Sequence, residues 1–381
     1  MSHDQPSRQS HRGDILRSGG CPVTPRFRST HRRSTTTLSD VSARLRPRDR
    51  VIAFLLSDHT SLTTDQITSV LFDSPVTCAH RLYTLRRLDF IDRVLRSHPG
   101  QPAQVFWVPG RLSARFVALA RGDTPPTPKA VALAADSVLS NRLRQHTIET
   151  NQFFVDLIAH GRRHPEARLT RWWSEQQAAA VFGQRVRPDA HGVWSNGRNS
   201  VGFWLEYDRA TEDHPRLRDK LEPYRRLRMD GGPGHILLFS LPSRERERNF
   251  HTKLADAARH DHRVTDALAA LTVATGARDR INGHSPAGPV WRLVGNGGHR
   301  LSLVDLPTTE DEPGRSTPAH HVRPRIRSTS CVTKRREPSW ASNLAARDLP
   351  SRCLAAPVGS PGDRVRHRRQ TAFRRPVAAA V

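Results

Sequence analysis

Asp189, Glu206, Asp208 and Lys220 are the residues whose types and spacing are suited to chemistry. A strand-like run from Val186 to Trp194 carries Pro188-Asp189, and a polar turn, Ser195-Asn196-Gly197-Arg198-Asn199, follows it. A second run, Val201 to Tyr207, leads into Glu206-Tyr207-Asp208. Side chains alternate along a strand, so Glu206 and Asp208 project to one face and Phe203, Leu205 and Tyr207 to the other. Pairing of the two runs across the turn brings Asp189 to join them. Carboxylates gathered at a strand end repel one another unless a proton or a cation lies between them. A hard divalent ion with oxygen ligands, Mg2+ or Mn2+, is the simplest resolution, with Asp189, Glu206 and Asp208 as its ligands.

Lys220 belongs to a helical stretch expected over 215–229. There Leu217, Lys220, Leu221 and Tyr224 share a face, because spacings of three, four and seven coincide on a helix. A lysine on a core-facing stripe is costly unless carboxylates accompany it. Two readings follow: Lys220 reaches Glu206 or Asp208 as part of a catalytic set, or it fixes helix to strand as a buried salt bridge while Asp208 caps a turn. Glu175, just after an earlier strand, is a further candidate for the cluster. Tyr224 invites comparison with the nucleophilic tyrosine of relaxases, but no HUHxxH run accompanies it to hold the metal those enzymes use. His146 is expected to be a packed or surface histidine. Trp172, Trp173, Trp194 and Trp204 are expected in the core rather than stacked on bases.

The elements around this stretch divide the chain. Residues 1–46 are rich in Ser, Thr, His and Arg without apolar periodicity, and a disordered basic arm is expected. From Pro47 the pattern becomes helical. PRDRVIAFLLSDH starts with a proline suited to the first turn, and Thr63-Thr64-Asp65-Gln66 opens a second helix. A third spans 74–88, with Val76, Leu82, Leu85 and Leu88 as its inner positions. Two strand-like runs, Phe90–Val94 and Gln104–Val108, then flank Pro99-Gly100. Three short helices and a β-ribbon describe a winged helix-turn-helix over 47–121, whose third helix would lie in the major groove. His80, Arg81, Thr84, Arg86 and Arg87 are its candidate DNA contacts. Residues 122–129, containing GDTPPTP, read as a linker.

A second domain is expected over 130–306. It begins with one long helix, about 130–160, and a strand from Arg168 to Trp173 in which Leu169, Arg171 and Trp173 alternate. The two runs of the opening stretch follow, then the Lys220 helix. The apolar strand HILLFS (235–240) and a helix over 243–259 come next, with edge strands at 290–294 and 300–304. Beyond about Pro307 the chain is Pro, Arg, Ser and His without period, and a disordered basic tail (307–381) or a frame-shifted extension is expected.

The formal charge is +25 on 381 residues. Nine basic and three acidic residues lie in 1–46, and fifteen and six in 307–381, which leaves about +10 for the folded middle. Such an excess suits double-stranded DNA, through counterion release from phosphates. The bland alternative is that the arginines merely solubilise. Four cysteines without CxxC pairing offer neither a zinc knuckle nor a disulfide framework. No apolar run has the length of a signal peptide or a membrane span, so a cytoplasmic protein without membrane contact is expected.

HTIETNQFFVDL, RWWSEQ, RPDAHGVW and WLEYDRATEDHPRLRDKLEPYRRL, behind a winged helix, resemble the replication-relaxation proteins of plasmids and mobile elements in actinobacteria and firmicutes. The resemblance covers about residues 48–306. Its most specific part is E-x-D-x-x-T-E followed by a helix bearing K-x-x-x-Y. The α-β-β-β-α-β order also resembles the PD-(D/E)xK nuclease fold of restriction endonucleases. Together they imply an α+β protein, a winged helix followed by a restriction-endonuclease-like domain. It would act on DNA in plasmid or mobile-element replication or relaxation as a Mg2+-dependent nickase or nuclease. Plasmid or host replication proteins, and a second copy of the chain, would be its partners. The chain departs from the nuclease pattern at Asp208, where a lysine is usual; Lys220 is the substitute available. A catalytically inactive replication accessory protein and a winged-helix transcription regulator are the competing readings.

Overall fold

Cap chemistry sets the first helices. The computed structural model describes residues 35–96, 103–140, 143–197, 199–209, 219–281, 284–296 and 298–308. Helix α1 (Leu38–Ser42) is capped by Thr37 and buries Val41, so the last residues of the expected disordered arm are ordered. The rest of that arm, and of the tail beyond residue 308, lies outside the described residues. Helix α2 (Pro47–His59) starts on Pro47, and the Asp49 carboxylate accepts from the Arg46 amide at 2.6 Å. Strand β1 (Leu62–Thr63) leads into α3 (Thr64–Leu71), where Thr63 and Gln66 cap each other's amides at 3.2 and 3.0 Å. Helix α4 (Pro75–Arg87) follows, with the Ser74 hydroxyl as its cap.

Strands β2 (Ile91–Arg96) and β3 (Gln104–Pro109) form an antiparallel ribbon, and β1 pairs with β3 to complete a three-stranded sheet. Helices α5 (Arg111–Arg121) and α6 (Pro128–Ser140) come next, and α6 turns back on the ribbon. Its Val138 packs with Val94, Phe106 and Val108. The single long helix expected over 130–160 is therefore two, α6 and α7 (Leu143–Arg163), and the first of them packs with the N-terminal elements. Val76, expected on the inner face of α4, is 66% exposed; Cys78 takes the buried place beside Leu82 and Leu85.

A seven-stranded mixed sheet carries the remainder: β4 (Arg168–Ser174), β5 (Ala190–Ser195), β6 (Ser200–Tyr207), β7 (Ile236–Leu241), β8 (Val273–Ala277), β9 (Trp291–Leu293) and β10 (Arg300–Leu301), in that spatial order. Pairings are antiparallel from β4 to β6, parallel from β6 through β8, and antiparallel again at β9 and β10. A register shift between Leu169 and Arg171 breaks the alternation expected in β4, so Trp172 rather than Trp173 goes fully into the core. β8, VATGA, is short, and three of its five residues are Ala or Gly, so its composition does not advertise a strand.

Helix α7 covers one face of this sheet. Phe154 stacks on Trp172 and Phe203 at 5.2 and 5.8 Å between centroids. Gly192 makes that approach possible, since a Cβ there would lie 2.3 Å from the Phe203 ring. The other face is covered by α9 (Leu221–Met229), α10 (Arg244–His260) and α11 (His262–Ala270), through Trp204, Leu237, Phe239, Tyr224, Leu227, Phe250 and Leu254. A short helix, α8 (Glu175–Val181), links β4 to β5.

α7 also ties the two sheets together. Gln66 donates to the Ile148 carbonyl at 3.1 Å, and Asn151 donates to the His59 and Ser61 carbonyls at 3.2 Å each. Arg162 reaches back to the Thr68, Ser69 and Phe72 carbonyls, capping the free end of α3. His59 lies flat on Trp172, 3.6 Å between centroids. No helix among the described residues is long and apolar enough to cross a membrane.

Candidate active site at the sheet edge

β6, β7 and β8 run parallel and end on one side of the sheet, the side where open α/β sheets hold ligands. β5 runs against β6 with Ala190 opposite Leu205, so Asp189, just before Ala190, reaches the same edge as Glu206, just after Leu205. Alternation sends Glu206 toward α9 and Tyr207 toward α7, as the pattern of the stretch predicts.

Glu206 is the centre of the arrangement. Its side chain is 4% exposed. Oε2 accepts from the Lys220 ammonium at 2.8 Å and Oε1 from the Tyr224 hydroxyl at 2.5 Å. Burial and the neighbouring charge of Asp189 push its carboxyl up to about 7, against the pull of Lys220 and Tyr224. A carboxyl so placed exchanges its proton near neutral pH. Burial, together with the Glu206 charge, raises Tyr224 well above the ordinary phenol range. Tyr224 is 3% exposed and remains a neutral donor clamping Glu206, not a nucleophile for a phosphodiester. Lys220 is 30% exposed, at the residue before α9.

Asp189 turns toward α7. Its Oδ2 accepts from the Tyr207 amide at 2.7 Å and meets His146 Nε2 at 3.1 Å, while that nitrogen also lies 3.0 Å from the Tyr207 carbonyl. Two acceptors on one ring nitrogen mean that Nε2 carries the proton, which fixes the tautomer. Burial opposes protonation of the imidazole, but the Asp189 hydrogen bond and charge, with the Tyr207 carbonyl, outweigh it and raise the His146 pKa. His146, expected to be only packed or on the surface, thus belongs to the site. The signal available in sequence was its place on the helical stripe with Glu149 and Phe153.

Asp208 is committed elsewhere. Its carboxylate accepts from Arg246 Nε of α10 at 2.8 Å, and its side chain has no exposed surface. Arg278 donates to the Asp208 and Ser240 carbonyls at 2.7 Å each and lies 4.1 Å over the Tyr207 ring. Asp208 therefore anchors α10 to the strand end. Glu175 forms an exposed pair with Arg187 at 3.1 Å and touches neither Asp189 nor Glu206. Trp172, Trp194 and Trp204 are core residues, and Trp173 carries Arg171 over its ring at 4.4 Å.

These contacts decide how a divalent ion fits. Both Glu206 oxygens are engaged, Asp208 is held by Arg246, and Asp189 has one oxygen tied to Tyr207 and His146. Among the described residues no three His, Cys, Asp or Glu side chains gather as a metal-holding group. The donor set as arranged does not fit a carboxylate-held cation; lysine, arginine and histidine neutralise the acids instead.

On α4 the candidate DNA contacts separate into two groups. Arg81 faces inward, bridging both oxygens of buried Asp49 and the Arg44 carbonyl. The Thr84 hydroxyl donates to the His80 carbonyl at 2.9 Å, and Arg86 pairs with Asp92 at 3.3 Å. His80 and Arg87 are exposed.

The family described as Replication-relaxation has a sequence model that matches residues 54–235, which takes in both α4 and the Asp189–Glu206 edge. Neither the curated proteins nor the solved structures yield a match.

Proposed function

We propose that this chain, which belongs to the replication-relaxation family through residues 54–235, is a DNA-binding protein of plasmid or mobile-element replication. In this reading the N-terminal helices and ribbon are a winged helix that docks on duplex DNA. The seven-stranded sheet is a restriction-endonuclease-like module that presents the Asp189–Glu206–Lys220 edge to the phosphodiester backbone. The observation that carries it is the Lys220–Glu206 contact of 2.8 Å beside Asp189, at the ladder end where a nuclease-like sheet holds its acids. Lys220 supplies a half-exposed ammonium for a phosphate oxygen, and Glu206 supplies a carboxyl that takes or gives a proton near neutral pH.

Engagement of both Glu206 oxygens, with Asp208 held by Arg246, favours gripping of the backbone over cleavage. Cleavage is the second reading, favoured by the near-neutral carboxyl of Glu206. Supercoiled plasmid incubated with the full chain in Mg2+, Mn2+ or EDTA, with binding measured in parallel, separates them. Binding without nicking is expected. Nicking abolished by Glu206→Gln and Lys220→Ala would establish the second reading. Absence of any DNA binding would sink both.

A further inference from the structure

We infer that the outward stripe of α4 is a base-reading face for duplex DNA, on which Val76 meets the 5-methyl group of a thymine and Tyr83, held by Arg93, joins the stripe to the ribbon. This rests on the DNA-binding reading above and adds which residues read sequence. Val76, His80, Tyr83 and Arg87 are spaced by four, three and four residues and form one exposed stripe, opposite buried Cys78, Leu82 and Leu85. Val76 is 66% exposed on the first turn, and Tyr83 is 43% exposed.

Tyr83 is exposed but fixed. Its ring stands edge-on to Trp107 at 5.4 Å, its hydroxyl accepts from Arg93 Nη1 at 2.8 Å, and the Arg93 guanidinium lies 5.2 Å from the ring centre. A pinned aromatic at an exposed position costs little further ordering when a partner arrives.

Charge identifies the partner. Residues 74–96 hold five arginines and two aspartates. Asp92 and Asp89 are paired with Arg86 and Arg111. The surface that remains is cationic with apolar points in it. An acidic duplex whose major groove exposes thymine methyls on its floor matches both properties. First-turn residues of a recognition helix are the ones that reach base edges, which is where Val76 lies. Arg81, which charge alone would assign to bases, is turned away to Asp49, so discrimination falls to the Val76 side of the helix.

The test uses the full chain and a pool of random duplexes, from which bound sequences are selected. Binding is then measured for the selected duplex, for copies in which each thymine is replaced singly by deoxyuridine, and for a random duplex. Loss of one thymine methyl at one position should weaken binding about fourfold, the ratio for burying one methyl-sized group. Val76→Ala should abolish that preference while binding the random duplex within about twofold of wild type. Tyr83→Ala should lower affinity for the selected duplex. Selection without a thymine-containing consensus, or a Val76→Ala protein that keeps the preference, overturns the inference and leaves DNA binding intact. A wild-type chain that binds no duplex removes the DNA-binding reading itself. Unchanged binding by both variants also overturns the inference.

Discussion

Glu206→Gln should stabilise this protein at alkaline pH by removing a buried charge. The Glu206 carboxyl is raised from 4.5 to about 7 by burial and by Asp189. A folded-state pKa above the unfolded one means that the folded chain holds the proton more tightly. The stability contributed by the group is then complete below about 4.5 and is lost as pH rises through about 7. A rise of that size corresponds to about 3 kcal/mol. Glutamine keeps an acceptor for Tyr224 and imposes no charge to bury. Its cost is the ion pair with Lys220, which is small because the ammonium is partly solvated. Relative to wild type, the variant should gain about 2–3 kcal/mol between pH 4.5 and pH 8, or roughly 5–10 °C in Tm for a protein of this size. Urea titrations monitored by circular dichroism, with EDTA present, give the comparison. Parallel stability curves for the two proteins across that range would refute the argument that Glu206 is ionised under duress.

Arg81→Ala should destabilise by about 3 kcal/mol, because it strands buried Asp49, whereas Arg87→Ala should leave Tm unchanged and lower the salt slope of DNA binding by about 1. Equal effects of the two on DNA affinity with no loss of Tm for Arg81→Ala would contradict the inward placement. Asn151→Ala removes two buried donors to the His59 and Ser61 carbonyls and should cost about 1–3 kcal/mol in urea unfolding; no change would show the tie to be idle. Burial lowers His59 to about 3 and His235 and His251 to about 4, and His191 also lies well below its usual value. Their neutral forms favour the fold, so stability is intact above pH 6.5 and falls as pH drops toward 4. His59→Phe, which preserves the stack on Trp172, should make that fall shallower; an identical acid profile would argue against it.

How much of the site was legible follows from the range of the interactions that build it. Alternation within β6 separates Glu206 from Tyr207, and helical spacing puts Lys220 and Tyr224 on one face, so their meeting needed only a strand and a helix fourteen to eighteen residues apart in sequence. The same local rules named Asp208 as a ligand but could not supply its partner in the fold. Its partner, Arg246, is thirty-eight residues away on a helix whose approach no periodicity specifies. Nor does spacing reveal that α7 delivers His146 to Asp189 from forty-three residues upstream. Caps were readable because they are local too: Pro47, Thr63 with Gln66, and Ser74 begin their helices as expected. β8 escaped because Val273 and Thr275 are set among Ala and Gly in only five residues, and the partners on either side define the strand. The acids at this edge were visible as charges to be neutralised; what neutralises them is tertiary. Lys220, Arg246 and His146 are what the geometry sets beside Glu206, Asp208 and Asp189, and each comes from outside the strand it meets.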